Sequence, residues 1–399
     1  MALSKIDVAN MLTGATPVAN GGTAATTLAA AGLGKRPNAK PIIINGNMAV
    51  SQRSTSVTGI GNGDSGYHTI DRFKFEEGNS PSAVWTMTQE SLTSGNAYTA
   101  GFTKALKMDC TTSDDASGHG DILNVIKYAT EQHDTHLFKK GTANAEKYTV
   151  AFWIKATKTG THICELRDTT NDRACSVAYT VSTTNTWEHK VLNFPADTTG
   201  ATGTATTKGL EIYWSLYSGS GYQGATLQTA WAGSATNKRY TGQVNNADST
   251  SNNWHLTGVQ LEVGEYTSST LPPFQHESFA DNLIRCQRYF ETTFEVGTAI
   301  GASTSTGIIR SGGNQGGRTS GRMGHGFTYP VPKRSAPTVV FYDNNGNSGA
   351  LARLDQGSGT GSNKNATLAG GSHKSFEVTS TGDSTADCLN YHFTADAEL

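Results

Sequence analysis

From residue 41 onward the chain is built of short runs in which apolar and polar positions alternate with a period of two. In residues 148–156 (YTVAFWIKA), Val150, Phe152 and Ile154 fall on one face and Ala151, Trp153 and Lys155 on the other, which predicts a strand. Residues 210–217 (LEIYWSLY) set Leu210, Ile212, Trp214 and Leu216 against Tyr213 and Tyr217. Residues 254–264 (WHLTGVQLEVG) read as a strand broken at Gly258, the mark of a bulge. Residues 161–180 read as a hairpin turning within 169–172. If only Thr169 and Thr170 form its loop, Cys164 and Cys175 stand directly opposite; a longer loop separates them. A helical period is clear once: Ser278 and Asp281 have capping-box spacing, and Phe279, Leu283, Ile284 and Cys286 predict a buried stripe ending at Tyr289.

Short strands separated by Gly, Asn, Ser and Thr turns predict an all-β fold, with a jelly-roll sandwich over 41–290 and a smaller β-sandwich over 291–399. Residues 1–40 differ in texture. Ser4 and Thr26 each resemble the start of a short helix, but apolar residues are too sparse there to close a core. This segment is expected to be an extended or helical anchor that orders against a neighbouring copy or a docking partner.

Composition narrows the function. Hydrophobic residues are 36% and charged residues 16%, so the chain lacks the high charge that accompanies disorder. A net charge of −2 offers no basic surface to a nucleic-acid backbone. No run of about 18 apolar residues predicts a membrane span, and the first residues lack the apolar centre of a secretory signal. Five scattered cysteines do not make a disulfide framework and are expected to be reduced and buried.

Several site-like patterns have plain readings. Gly63-Asp64-Ser65-Gly66 matches a serine-protease nucleophile region by letters, but no matching His motif lies upstream, so a turn is expected. Residues 61–66 also match a dinucleotide fingerprint without the helix it requires. His133-Asp134-Thr135-His136 and Gly118-His119-Gly120-Asp121 lack zinc-type pairing with a third ligand. No solenoid repeat of the kind common to glycan depolymerases is present, and no enzymatic activity is expected. Sugar binding suits the composition better. The polar stretch 218–253 holds Tyr222, Trp231 and Tyr240, whose rings either stack on pyranose faces or fold back as a lid or subunit contact. The Gly-rich 311–326 loops are an alternative receptor surface.

Residues 12–32 (LTGATPVANGGTAATTLAAAG), 43–53 (IINGNMAVSQR), Asp71-Arg72-Phe73, 256–264 (LTGVQLEVG), Pro273-Phe274-Gln275-His276 and 284–289 (IRCQRY) together resemble fibre-type proteins of tailed bacteriophages. That resemblance implies a virion fibre assembled in the host cytoplasm: a homotrimer that docks on other tail or capsid proteins through residues 1–40 and contacts a host surface glycan. Head fibres and tail adaptors without receptor binding reuse such modules and remain alternatives. The resemblance to jelly-roll carbohydrate modules also implies a structural Ca2+. Asp71 and Glu262 are the carboxylates of its two most family-like motifs; otherwise each caps a loop or pairs with Arg72 or Arg53.

Overall fold

The computed structural model describes residues 40–116, 120–311, 322–354, 363–381 and 388–399. The anchor expected over 1–40, most of the 311–326 loops, and Gly118 and His119 lie outside them. The fold is all-β. Twelve strands build a sandwich: β1 (Ser56–Gly61), β2 (Phe73–Gly78), β3 (Val84–Ser91), β4 (Lys104–Thr112), β5 (Leu123–Glu131), β6 (Tyr148–Ala156), β7 (Gly160–Asp168), β8 (Arg173–Val181), β9 (Glu188–Phe194), β10 (Lys208–Ser218), β11 (Ala232–Gly233) and β12 (Asn253–Val263). One sheet runs β1-β3-β4-β12-β6-β9 and the other β11-β8-β7-β10-β5-β2, and every pairing is antiparallel.

The alternation in the sequence sets the faces. Val150, Phe152 and Ile154 of β6 and Ile212, Trp214 and Leu216 of β10 enter one core together with Phe73, Phe75, Trp85 and Trp254. The bulge expected in β12 is present, the register shifting between Thr257 and Gln260. Gly258 there has φ +62°, and a Cβ would stand 2.7 Å from the Phe102 ring and 2.9 Å from the Trp153 ring, so only glycine fits. In the β7–β8 hairpin Asp168 pairs with Arg173, which leaves residues 169–172 as the loop. Cys164 therefore faces Val177 while Cys175 faces Leu166: the thiols are diagonal neighbours in the core, and all five cysteines are free.

Besides a single turn, α1 (Asn96–Thr99), one helix stands out, α2 (Phe279–Gln287). Ser278 caps it, accepting from the Asp281 amide. The expected apolar stripe is narrower than the pattern suggests. Cys286 is buried, but Phe279 and Ile284 are about half exposed, at 49% and 52%. The buried face is instead keyed by Asn282, whose Oδ1 accepts from the Asn45 amide at 3.0 Å and whose Nδ2 donates to Asn47 at 3.1 Å.

The second unit holds β13 (Phe290–Thr292), β14 (Ile309–Arg310), β15 (Arg322–Thr328), β16 (Thr338–Tyr342), β17 (Ala350–Leu354), β18 (Asn363–Gly371), β19 (Ser375–Thr381) and β20 (Cys388–Asp396). They form one eight-stranded sheet in which β20 pairs with β13, β14, β16 and β17. Phe341, Phe376, Val378, Tyr391 and Phe393 make a core of its own. The end of the chain returns to the sandwich. Tyr67 donates to the Leu399 carbonyl at 2.9 Å, Arg53 to Asp396 at 3.1 Å, and Arg72 pairs with Glu398.

Candidate functional site

Residues 219–246 cross the outer face of the second sheet, the side away from the core. Glu165 on β7 points outward there beside Tyr213 of β10 and is fully buried. Arg239 forks onto it, Nε to Oε1 at 2.8 Å and Nη2 to Oε2 at 2.6 Å, and the Tyr240 hydroxyl donates to Oε2 at 2.7 Å. A buried carboxylate needs such donors. The Tyr240 ring then packs with Leu123, Val125, Ile163 and Tyr213 as a small second core. This anchoring holds the crossing segment in place.

Its near end opens a cleft of about 470 Å3 lined by Asn79, Asp121, Gly221, Tyr222, Ala235, Thr236 and Asn237. Four separate loops supply them: those after β2, before β5, after β10 and after β11. Tyr222 is half-buried, its ring 6.0 Å from that of Tyr240, and its carbonyl accepts from the Tyr240 amide at 3.1 Å. Asn79 donates to the Asp121 carbonyl at 2.9 Å, which ties two of the loops together. At Gly221 a Cβ would stand 2.3 Å from Asp121 Oδ1 and 2.6 Å from the Gly120 carbonyl, so a side chain there would displace the carboxylate. The cleft thus joins a fixed phenol to amides, a hydroxyl and one exposed carboxylate.

Of the three rings singled out from the sequence, only Tyr222 lines this cleft. Tyr240 is fully buried, and Trp231 is 9% exposed. The indole donates to the Pro195 carbonyl at 2.8 Å and packs 5.8 Å from the Tyr148 ring. Both faces of Tyr240 and Trp231 are spent on packing, the lid alternative rather than a sugar platform. Beside Trp231, Lys140 pairs with Asp168 and Asp197, and Arg173 forks onto Asp197. Those carboxylates are consumed internally.

The two expected calcium ligands have different surroundings. Asp71 is fully buried; its carboxylate accepts from the Gln52 amide at 3.1 Å and from the Gln52 side chain, and lies 3.5 Å from Arg53. A cation at Asp71 would have to displace that guanidinium. Glu262 sits on β12 beside Gln260, which donates to it at 3.4 Å. Among the described residues no three His, Cys, Asp or Glu side chains form a metal cluster. His133 and His136 lie 6.2 Å apart, ring to ring, on one 3-10 turn. Gly63-Asp64-Ser65-Gly66 runs as an irregular segment out of a bend at 62–63, with Gly66 bridged to Phe75 and Ser65 accepting from the Glu77 amide.

Burial pushes the Glu262 carboxyl up to about 7, from an ordinary value of 4.5. The folded chain then holds this proton more tightly than the unfolded chain. Stability from this group is therefore full below about pH 4.5 and lost as pH rises through about 7, by up to about 3 kcal/mol. Glu262→Gln should flatten that part of the profile and raise the urea midpoint at pH 8 relative to the wild type. Equal pH slopes for the two proteins would show that the carboxyl is not so perturbed.

Asn79, Thr236 and Asn237 carry no local signal in the sequence, and Asp121 stood out only in a metal-like pattern, because nothing but folding gathers the four. No family model matches the chain, and no curated protein matches it. Solved structures do align. The enzymatically active domain of tailspike protein 4 of bacteriophage CBA120 is 13% identical, with a TM-score of 0.29; the alignment covers 57% of this chain and 24% of that one. A family 11 carbohydrate-binding module of a cellulosomal cellulase of Clostridium thermocellum is 9% identical, with a TM-score of 0.27, over 53% of this chain and 96% of the module. A family 61 carbohydrate-binding module in complex with β-1,4-galactotriose is 9% identical, with a TM-score of 0.25, over 56% and 99%.

Proposed function

We propose that this chain binds a neutral surface glycan through the Tyr222 cleft, without cleaving it, and serves as a trimeric fibre-type attachment protein of a phage particle. The observation that carries the reading is the cleft itself. A half-buried ring stands beside Asn79, Asp121, Thr236 and Asn237 at one end of a β-sandwich. Sugar C–H faces stack on such rings, while amides and a single carboxylate take vicinal hydroxyls as directional partners. Among the described residues Asp121 is the only charged side chain lining the cleft, so an anionic sugar has no counter-ion there. The fibre-type motifs in the sequence support the virion setting, and residues 1–40 supply the docking and trimer contacts.

One shallow site of this kind reaches about millimolar affinity, or about −4 kcal/mol. Three sites per fibre and several fibres per particle raise avidity by ~10²–10⁴. The test is a neutral-glycan array probed with the full chain, followed by titration of the best binder. Tyr222→Ala and Asn237→Ala should each raise Kd about tenfold or more, with release of no reducing ends. Unchanged binding in both variants would remove the cleft from the function, and a monodisperse monomer by light scattering would remove the trimer.

A further inference from the structure

A second cleft, of about 730 Å3, lies where the two β units meet. The sandwich supplies Thr206, and Arg288 stands at the end of α2; Lys333, Arg334, Ser335, Ser372 and His373 come from the second unit. We infer that this cleft is a binding site for an anionic sugar, one carrying a carboxylate or phosphate on a hydroxyl-rich ring.

The charge balance points there. Arg288 forks onto Glu131, Nε to Oε1 at 2.7 Å and Nη2 to Oε2 at 2.9 Å, and Lys333 pairs with Glu291. Each of these acids is at least nine-tenths buried and already engaged. Lys333 also donates to the Gln287 and Val331 carbonyls, so all three of its donors are used. Arg334 is different. Its Nε donates to the Ala397 carbonyl at 2.8 Å, Nη1 to Thr206 at 2.9 Å and Nη2 to Glu398 at 3.0 Å, and all three acceptors are backbone oxygens. Among the described residues no carboxylate lies within ion-pair distance of Arg334. Its position is fixed from both units, and the carboxylate nearest in effect, Glu131, is forked by Arg288 and acts on Arg334 only at longer range.

A guanidinium has five N–H donors, so Arg334 keeps two and Arg288 three beyond the bonds above. His373 is exposed and Ser335 half-buried at the rim, and among the described residues neither side chain makes a hydrogen bond or ion pair to another element. A pre-positioned cation with unspent donors is the arrangement that recognises a carboxylate or phosphate, and the neighbouring hydroxyls suit a sugar ring. Because the lining comes from both units, the ligand would span their junction.

The experiment titrates the full chain with glucuronate, glucose 6-phosphate and glucose by calorimetry at low salt. Glucuronate or the phosphate ester should bind with a millimolar Kd, and the tighter of the two identifies the anionic group. Glucose should give no saturable heat in this range in a Tyr222→Ala background, where the first cleft is silenced. Ser335→Asp and His373→Glu place negative charge on the rim without removing a junction bond. Each should raise Kd at least tenfold while leaving the melting temperature of the free protein unchanged. Anion binding that persists in Tyr222→Ala and fails in the rim variants supports this site whatever becomes of the first cleft. Equal binding of glucose and glucuronate, rim variants that bind like the wild type, or no binding of either anion would overturn it.

Discussion

Arg72→Met is expected to cost about 3–5 kcal/mol of stability and to loosen the second β unit from the sandwich. Arg72 is 1% exposed. Its guanidinium pairs with Glu398, donates to the Ala129 carbonyl at 2.6 Å, and lies 3.4 Å from the centre of the Tyr289 ring. Methionine keeps much of the packing volume and removes the charge. Glu398, whose side chain is 4% exposed, would then keep Arg53, at 3.6 Å, as its one ion-pair partner among the described residues. Removing one member of a buried pair strands the other, which is far more costly than removing both. The Arg72→Met/Glu398→Met double variant should therefore recover a large part of the loss. Calorimetry and limited proteolysis give the readout: the single variant should show an early transition and cleavage near the junction. A single variant as stable as the double, or within about 1 kcal/mol of the wild type, would mean that the pair contributes little coupling.

The strands that carry the core were legible because burial on one face imposes a period of two. Val150, Phe152 and Ile154, or Ile212, Trp214 and Leu216, show it directly. The break at Gly258 was legible because a glycine inside such a pattern needs a local reason. The helix was legible at its cap, since Ser278 and Asp281 are close in sequence. Its buried stripe was not, because Asn282 is held by Asn45 and Asn47, over 230 residues away in the chain. The hairpin register turned on the length of one loop, four residues rather than two, and that choice separated Cys164 from Cys175. The same limit governs the candidate site. An aromatic ring in a polar stretch announces that it will be covered, but not by what. Tyr240 and Trp231 are covered by the protein, through Glu165 and Pro195, whereas Tyr222 keeps an edge on a cleft. All three lie in one polar stretch; long-range partners decide.

That difference leads to the sharpest contrast among the ring variants. Tyr240→Ala should lower stability by about 3–5 kcal/mol, because it opens a cavity among Leu123, Val125, Ile163 and Tyr213. It also strips Glu165 of a donor in a buried site. Tyr240→Phe keeps the ring and loses only the hydroxyl's bonds to Glu165 and Arg239, so about 1.5–3 kcal/mol is expected. Trp231→Ala should destabilise by a similar amount to Tyr240→Ala, since the indole is packed against Tyr148 and bonded to Pro195. Binding separates the two sites of damage. The Tyr240 ring packs beside that of Tyr222, so Tyr240→Ala should weaken glycan binding by moving the cleft wall, and Tyr240→Phe should not. Trp231 packs against Tyr148 and Lys140 instead, and is no part of the cleft lining, so Trp231→Ala should bind normally at temperatures where it is folded. Rings in direct contact with sugar would behave in the opposite way, losing affinity at unchanged melting temperature. Denaturation and titration of the same three proteins therefore tell a positioning ring from a contacting one.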